Sequence, residues 1–154
     1  MTAGPVTFRR AIVADLPAVV ALLADDALGR GREDPCLPLA EGYRHAFAAI
    51  DADANQLLAV AAEGEVVLGT LQISFIPGLS RRGAWRGELD SVRVAAARRG
   101  ERLGERMVLW AVEQCRARGC ALVQLTTDKR RTDAHRFYDR LGFAKSHEGY
   151  KLAL

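Results

Sequence analysis

The stretch Leu89–Met107 carries the residue types that could bind a phosphate group. An apolar strand ends at Val94, an arginine-bearing loop with Gly100 follows, and a helix begins near Glu101. This order aims backbone N–H groups and the positive end of a helix at one point, where phosphate oxygens bind well. The same spacing also fits a basic turn before a surface helix, and spacing alone does not decide between the two. The charge in the loop comes from Arg98, Arg99 and Arg102.

Other site chemistries lack their residues in this sequence. Neither G-x-x-x-x-G-K-[ST] nor a G-x-G-x-x-G opening a first βα unit is present, which excludes two common phosphate-binding motifs. The three cysteines contain no C-x-x-C pair and the three histidines are scattered, so we expect no metal site and no disulfide framework. We interpret Cys115 and Cys120 as small core residues in a reducing compartment.

Apolar periodicity predicts the elements that must position the loop. The unit 87–126 is a strand, a helix and a strand, so its two strands should be parallel. The whole order predicts a mixed α/β fold. The predicted strands are 6–12, 57–62, 66–75, 87–94 and 121–126, with a terminal hairpin of 143–146 and 150–154. The predicted helices are 16–28, 39–50, 103–118 and 132–141.

Length and composition predict a single globular domain. The chain has 154 residues, of which 49% are hydrophobic and 27% charged. We assign one domain to residues 1–154, with its core over about 6–154. The longest apolar run, Ala18–Ala24, is far shorter than a bilayer span, and no signal peptide is readable, so we expect no membrane contact and a cytoplasmic location.

Charge is distributed unevenly along the chain. Residues 1–75 carry 5 basic and 10 acidic side chains, whereas residues 76–154 carry 17 basic and 9 acidic ones. The basic half suits a ligand that bears phosphate. No basic block is interleaved with aromatic residues, so we expect no nucleic-acid partner.

Two motifs in the second half resemble those of a known superfamily. Residues 89–104 are similar to motif A of the GNAT superfamily of N-acetyltransferases, with Val92-Arg93-Val94 as the strand end and Arg99, Leu103 and Gly104 matching the loop. The phrase Ala134–Phe143 resembles motif B, A-x-x-x-Y-x-x-x-G-F. The chain departs from the superfamily twice, with Arg102 where a middle glycine is usual and Arg131 where an asparagine is frequent.

The resemblance implies a fold and a cosubstrate. The fold is a mixed central sheet, mostly antiparallel with a splayed parallel pair, and helices on both faces. The cosubstrate is acetyl-CoA, whose pantetheine amides should pair with the backbone over 92–94, in the gap where the sheet splays. Its pyrophosphate should lie on the N–H groups of the loop. The implied cofactor-binding residues are Val92, Arg93, Val94, Arg99, Gly100, Glu101, Arg102, Leu103, Gly104, Arg131 and Tyr138.

The implied reaction is direct attack of an amine on the thioester. A primary amine is mostly protonated at pH 7, so a base must take its proton, directly or through water. Asp90 is the first candidate, because alternation along the strand places it on the face of Val92 and Val94. Glu88, two residues earlier, is the second candidate, and a third possibility is that no side chain acts.

Tyr138 aligns with the tyrosine that serves many GNAT members as general acid. The resemblance therefore implies that its phenol protonates the leaving thiolate, while the alternative is core packing beside Phe137 and Phe143. We interpret His135 and His147 as structural, although either could reach the acceptor.

The acceptor is the least determined part of the interpretation. Residues 26–48 and the terminal hairpin should line its pocket, and their acidic residues would favour a cationic amine on a small molecule or peptide. The sequence leaves a homodimer open. Two other function classes compete: a non-catalytic acyl-CoA sensor or regulator with the same fold, and a basic nucleic-acid-binding module. The acidic residues are Asp25, Asp26, Glu33, Asp34 and Glu41.

Overall fold

A computed structural model of the chain describes residues 4–154, so the first three residues of the predicted domain lie outside the description. Short 3-10 turns lie at Val13–Asp15 and Ala96–Arg98. The strands are β1 (Thr7–Arg10), β2 (Gln56–Glu63), β3 (Val66–Ile76), β4 (Trp85–Val94) and β5 (Cys120–Leu125). The helices are α1 (Leu16–Ala24), α2 (Glu41–Ala52), the single turn α3 (Ser80–Gly83), α4 (Leu103–Ala117) and α5 (Thr132–Arg140).

The five strands form one mixed sheet in the order β1-β2-β3-β4-β5. Each neighbouring pair from β1 to β4 is antiparallel, and β4 and β5 are parallel. The parallel pair is joined by α4, as the predicted crossover requires. The predicted mixed sheet with one parallel pair is thus confirmed.

Helices cover both faces of the sheet, and each face has its own core. On one face α4 buries Leu103, Met107 and Val108 against Leu71 and Leu89 of the sheet. These helical residues recur at the spacing of one helix face, which is why the sequence predicts α4 so clearly. On the opposite face α1 and α2 pack on alternate residues of β2, with a core of Ala11, Val19, Leu58, Val60 and Ala62.

Two strand glycines let α4 lie close to the sheet. A Cβ added at Gly87 would clash with the Cys115 sulfur, and one at Gly69 would come within 2.6 Å of the Met107 sulfur. Cys115 is fully buried, in agreement with its interpretation as a core residue. The close contact fixes the height of α4 above β4, and with it the position of the loop that precedes the helix.

The first helix is shorter than predicted. The expected helix 16–28 ends at Ala24, because the Asp26 side chain accepts a hydrogen bond from the Gly29 N–H and so competes with the helical backbone. Gly29 also approaches the chain closely, since a Cβ there would meet the Leu23 carbonyl oxygen. The chain therefore turns after α1 and brings Asp26 over the sheet.

The predicted terminal hairpin is wrong. Residues 143–154 contain no regular secondary structure. An isolated hairpin is marginal in water unless it packs on a sheet or helix, and Tyr150, Leu152 and Leu154 are almost fully exposed. Within residues 4–154 no helix is long and apolar enough to cross a bilayer.

Candidate active site

A β-bulge in β4 sets the direction of the side chains at the site. Gln72 pairs with Asp90 and Thr70 with Arg93, so three steps along β4 match two along β3. The extra residue lies at Ser91, which has a positive φ of 53°. A bulge of this kind reverses the alternation beyond it.

The reversal corrects the face predicted for Asp90. Leu89 is buried in the α4 core, and Val92 and Val94 pack against that same core. Asp90 therefore lies on the opposite face of the sheet, the one that α1 and α2 cover. The expectation that it shares a face with Val92 and Val94 is wrong.

Beyond the bulge, β4 separates from β5. The parallel ladder runs from Trp85 to Leu89, whose partner is Leu125 at the end of β5. Residues 90–94 of β4 have no partner on that side among the residues that the structure describes. Their backbone N–H and C=O groups face a gap at the carboxyl end of the strands, where open α/β sheets bind ligands.

The start of α4 presents backbone donors without a capping side chain. Gly100 has φ of 87°, and Arg102, at the N-cap, has φ of 59°. No side chain caps the helix from Arg102, so the N–H groups of its first turn remain directed outwards. Left-handed residues just before a helix form a concave set of N–H groups that suits an anion.

Arginines of this loop are engaged in different ways. Arg98 forms ion pairs with Glu63 at 3.0 Å and with Glu101 at 2.6 Å. Arg102 is paired with Glu105, and the exposed Arg99 lies 3.8 Å from Asp25. Leu103 is buried, so at this position only its backbone can meet a ligand.

A cavity of about 330 Å³ adjoins the helix start. It lies between the first turn of α4 and the end of α5. Beside it, a Cβ at Gly104 would contact Val94 at 3.5 Å and Phe137 at 3.6 Å. The cavity is lined by Arg102, Glu105, Phe137, Arg140 and Leu141.

Tyr138 lies on α5 between two aromatic rings. Its ring centroid is 5.0 Å from that of Phe137 and 5.6 Å from that of Phe143, both edge to face. Burial raises the pKa of its phenol, while the positive charges of Arg93 and Arg131 act in the opposite direction. The phenol is therefore protonated at neutral pH and can donate a proton.

The carboxylates of β4 differ in their surroundings. Glu88 accepts a hydrogen bond from Gln124 of β5 at 2.9 Å. Solvent reaches Asp90, yet the protein around its carboxyl partly excludes water, and this burial raises its pKa. The charge of Glu88 raises the pKa further, and Lys151 lowers it. Asp90 thus binds a proton more tightly than an ordinary aspartate does, which favours a role as base.

Arg93, Arg131 and Asp26 form a cluster that the sequence did not predict. The Oδ2 atom of Asp26 lies 2.8 Å from Nη1 of Arg131 and 3.3 Å from Nε of Arg93. Both arginines were expected to contact the cofactor, but their side chains face Asp26 on the α1 side of the sheet. Any contact of Arg93 with a ligand in the gap must therefore come from its backbone.

The two candidate histidines have local partners. The Nε2 atom of His135 lies 3.0 Å from the Asp128 carbonyl oxygen. The Nδ1 atom of His147 lies 2.7 Å from the Ser146 hydroxyl, in the exposed C-terminal segment. Both histidines thus have partners close by in the chain, and their structural interpretation stays a prediction.

Comparisons with known proteins support the same family as the sequence motifs. Residues 20–143 match the model of the acetyltransferase (GNAT) family. The aminoalkylphosphonate N-acetyltransferase of Salmonella typhimurium is 33% identical over 114 residues, which cover 74% of this chain and 73% of that protein.

Solved structures share the fold over nearly the whole chain. A transcriptional regulator from Bacillus halodurans is 48% identical, with a TM-score of 0.95 over 97% of this chain and 100% of that one. A putative acetyltransferase from Agrobacterium tumefaciens is 28% identical, with a TM-score of 0.84 over 96% and 99%. With the family match covering most of the sequence, the chain belongs to the GNAT family of acetyltransferases.

Proposed function

We propose that the protein transfers the acetyl group of acetyl-CoA to a primary amine by direct attack of the amine on the thioester. The observation that carries the proposal is the edge of residues 90–94 that faces away from β3 and has no strand partner among the described residues, beside the uncapped start of α4. One offers strand-like hydrogen bonds to an amide-bearing arm, and the other offers N–H groups to a pyrophosphate. Both features suit the two chemical parts of coenzyme A.

Different residues of the site would bind different parts of acetyl-CoA. The backbone over Val92–Val94 would pair with the pantetheine amides, and the N–H groups over Arg99–Gly104 would bind the pyrophosphate. The cavity beside Phe137 and Arg140 has the size of a small-molecule site and would take the adenosine end. Bound acetyl-CoA supplies an activated acyl group.

Two side chains would move the protons. Asp90 accepts the proton of the attacking amine, directly or through water, as a new C–N bond forms at the thioester carbonyl carbon. The C–S bond breaks, and the Tyr138 phenol donates its proton to the leaving thiolate. Glu88 is the alternative base. It lies on the same face of β4 as Asp90 and accepts a hydrogen bond from Gln124 of β5.

A regulatory role is the second candidate. The Bacillus halodurans neighbour is described as a transcriptional regulator, and a fold does not by itself determine activity. A non-catalytic sensor would bind acetyl-CoA without turning it over in the presence of any amine.

The deciding experiment is thiol release from acetyl-CoA with a panel of primary amines. Amine-dependent release, with a matching acetylated product by mass spectrometry, is the expected result. Binding of acetyl-CoA without amine-dependent release would favour the sensor. If acetyl-CoA does not bind, both the transferase hypothesis and the sensor hypothesis are wrong.

A further inference from the structure

The cluster of Arg93, Arg131 and Asp26 lies on the side of the sheet opposite α4, at the mouth of the gap. Arg93 comes from the bulged end of β4, and Arg131 stands at the N-cap of α5. Asp26 follows α1. The three side chains are only 17%, 28% and 21% exposed, respectively. Three separate elements thus bring their charges together in a partly enclosed place.

The charges of the cluster do not balance. Two guanidinium groups share one carboxylate, whose other oxygen accepts a hydrogen bond from the Gly29 N–H. Nearby Arg32 adds no net charge, because it is paired with Glu33 at 3.0 Å. The Asp128 carboxylate also acts on Arg131, but it is paired with Arg130 at 2.8 Å. Enclosed charges are costly unless they are paired, and Asp26 alone does not balance the two guanidinium groups.

The contacts of Arg93 also leave part of its guanidinium group without a partner among the described residues. Its Nη1 donates to the Val92 carbonyl at 2.9 Å. Within residues 4–154, its Nε and the Oδ2 of Asp26 are fully enclosed and lack a well-aligned hydrogen bond. Burial lowers the pKa of Arg93, and the charge of Arg131 lowers it further. A second anion beside Asp26 would relieve this repulsion.

The cluster also lies beside the proposed general acid. Arg131 is the N-cap of α5, the helix that carries Tyr138, and the charges of Arg93 and Arg131 both lower the pKa of its phenol. A group held at Arg131 would therefore lie near the start of the helix that carries the proposed general acid. Guanidinium groups bind carboxylate and phosphonate in a two-pronged geometry.

We propose that Arg93 and Arg131 bind an anionic group of the acceptor, so that the substrate is a small primary amine that also carries a carboxylate or phosphonate. This inference rests on the proposed acetyl transfer. Coenzyme A phosphates are a poorer match for the cluster. The N–H groups that suit them precede α4, whereas Arg93 points to the opposite face of β4.

The first test compares four amines of similar size in the thiol-release assay. Besides the amine, 2-aminoethylphosphonate and β-alanine carry the two kinds of anion, ethanolamine carries an uncharged hydroxyl, and 1,3-diaminopropane carries a second positive charge. We expect kcat/KM for at least one anionic amine to exceed that of the other two by about tenfold or more. The preferred anionic amine identifies which anion the cluster takes.

The second test uses Arg131→Gln with Arg130→Gln as matched control, since Arg130 is exposed and paired with Asp128. Arg131→Gln should raise KM for the anionic amine by about ten- to a hundredfold and leave KM for acetyl-CoA within about twofold. Arg131→Lys should recover part of the loss. Arg130→Gln should change neither constant. Thermal midpoints of the variants show whether each is folded.

The outcomes separate the two proposals. Equal or better use of ethanolamine or the diamine overturns the anion site and leaves acetyl transfer intact. A higher KM for acetyl-CoA in Arg131→Gln assigns the cluster to the cofactor and also overturns it. If the protein binds acetyl-CoA but turns over none of the four amines, the result counts against the anion site. If acetyl-CoA does not bind, the proposed function itself is wrong.

Discussion

Tyr138 combines packing with proton donation in one side chain. Its ring lies edge to face with Phe137 and Phe143, and this packing is independent of the hydroxyl group. Burial raises the pKa of the phenol, so the proton is retained well above neutral pH. A general acid must hold its proton until the leaving group takes it, and the surroundings of Tyr138 meet that need.

Replacing Tyr138 with Phe keeps the ring and removes only the proton. We expect kcat to fall by about 10²–10⁴-fold, with KM for acetyl-CoA little changed, because the lost interaction forms in the transition state. Steady-state thiol release measures both constants. Tyr150→Phe, at an exposed position, is the control and should keep the original kcat. An unchanged kcat in Tyr138→Phe, where chemistry limits the rate, would make its role structural.

The pKa of Asp90 predicts a rise of activity with pH. A free aspartate has a pKa near 3.8, and burial and Glu88 raise that of Asp90. The carboxylate form, which accepts the amine proton, therefore accumulates at higher pH than for an ordinary aspartate. Asp90→Asn keeps the shape but accepts no proton, so it should flatten the rise of kcat/KM with pH and lower its plateau.

Glu88→Gln is the matched variant for the pH experiment. If Glu88 is the base, that variant and not Asp90→Asn will lose the pH dependence. If both keep the profile of the unmodified protein, the amine's own pKa sets the rise and no side chain acts. Profiles of kcat/KM from pH 5 to 10 therefore distinguish the three possibilities.

The sequence predicted which residues belong to the candidate site better than it predicted the direction of their side chains. Motif B marked Tyr138 directly, because its pattern requires a tyrosine at that position. The predicted face of Asp90 was wrong, because nothing in the sequence from Leu89 to Val94 reveals the extra residue at Ser91. The Asp26 cluster was missed because its members come from elements separated by most of the chain.

At the scale of elements, the loop before α4 depends on backbone conformation more than on side-chain charge. Arg102 takes a left-handed φ, which costs an L-residue about 1–2 kcal/mol and which glycine adopts freely. The glycine usual at this point of motif A is thus explained by the backbone. Gly104 has ordinary space around it, because a Cβ there would make only van der Waals contacts.

A pair of substitutions at Gly104 tests the proposed pyrophosphate site. Gly104→Glu should weaken acetyl-CoA binding by tenfold or more, because a carboxylate next to the phosphates repels them, while the fold survives. Gly104→Ala should keep the affinity within a few fold and raise stability by up to about 1 kcal/mol through better helix propensity. Calorimetric titration gives both affinities. Wild-type affinity in Gly104→Glu would refute this location.

Most helices and strands were predicted within a few residues of their observed bounds, whereas α1 ended four residues early and the terminal hairpin was wrong. The apolar spacing of α4 and the apolar runs of β2 and β3 are tied to large buried faces, so tertiary structure reinforced the local pattern. The terminal hairpin had no partner surface to bury it. α1 ended early because Asp26 formed a side-chain turn that propensity alone does not predict.

At the scale of the whole molecule, the acidic and basic halves of the sequence meet at the site. Asp25 and Asp26 pair with arginines of the second half, and so does Glu63. The acidic region was expected to attract a cationic amine, yet its carboxylates near the site are already engaged. Overall charge counts could not show this, because the pairs depend on how the chain folds back across the sheet.

Acetyl-CoA should stabilise the whole fold, because its proposed contacts involve β4, α4 and α5 together. A ligand that binds only the native state adds about 2.7 kcal/mol at a hundredfold excess over its Kd. For a chain of this size that corresponds to a thermal midpoint about 5–10 °C higher. Differential scanning fluorimetry measures the shift, with NAD and ATP as controls that share the adenine nucleotide and should do much less. The shift should fall to about half or less in Gly104→Glu and persist in Gly104→Ala, since only the former opposes the phosphates. An unchanged midpoint at millimolar acetyl-CoA would contradict the assignment of the gap and the α4 start to this ligand.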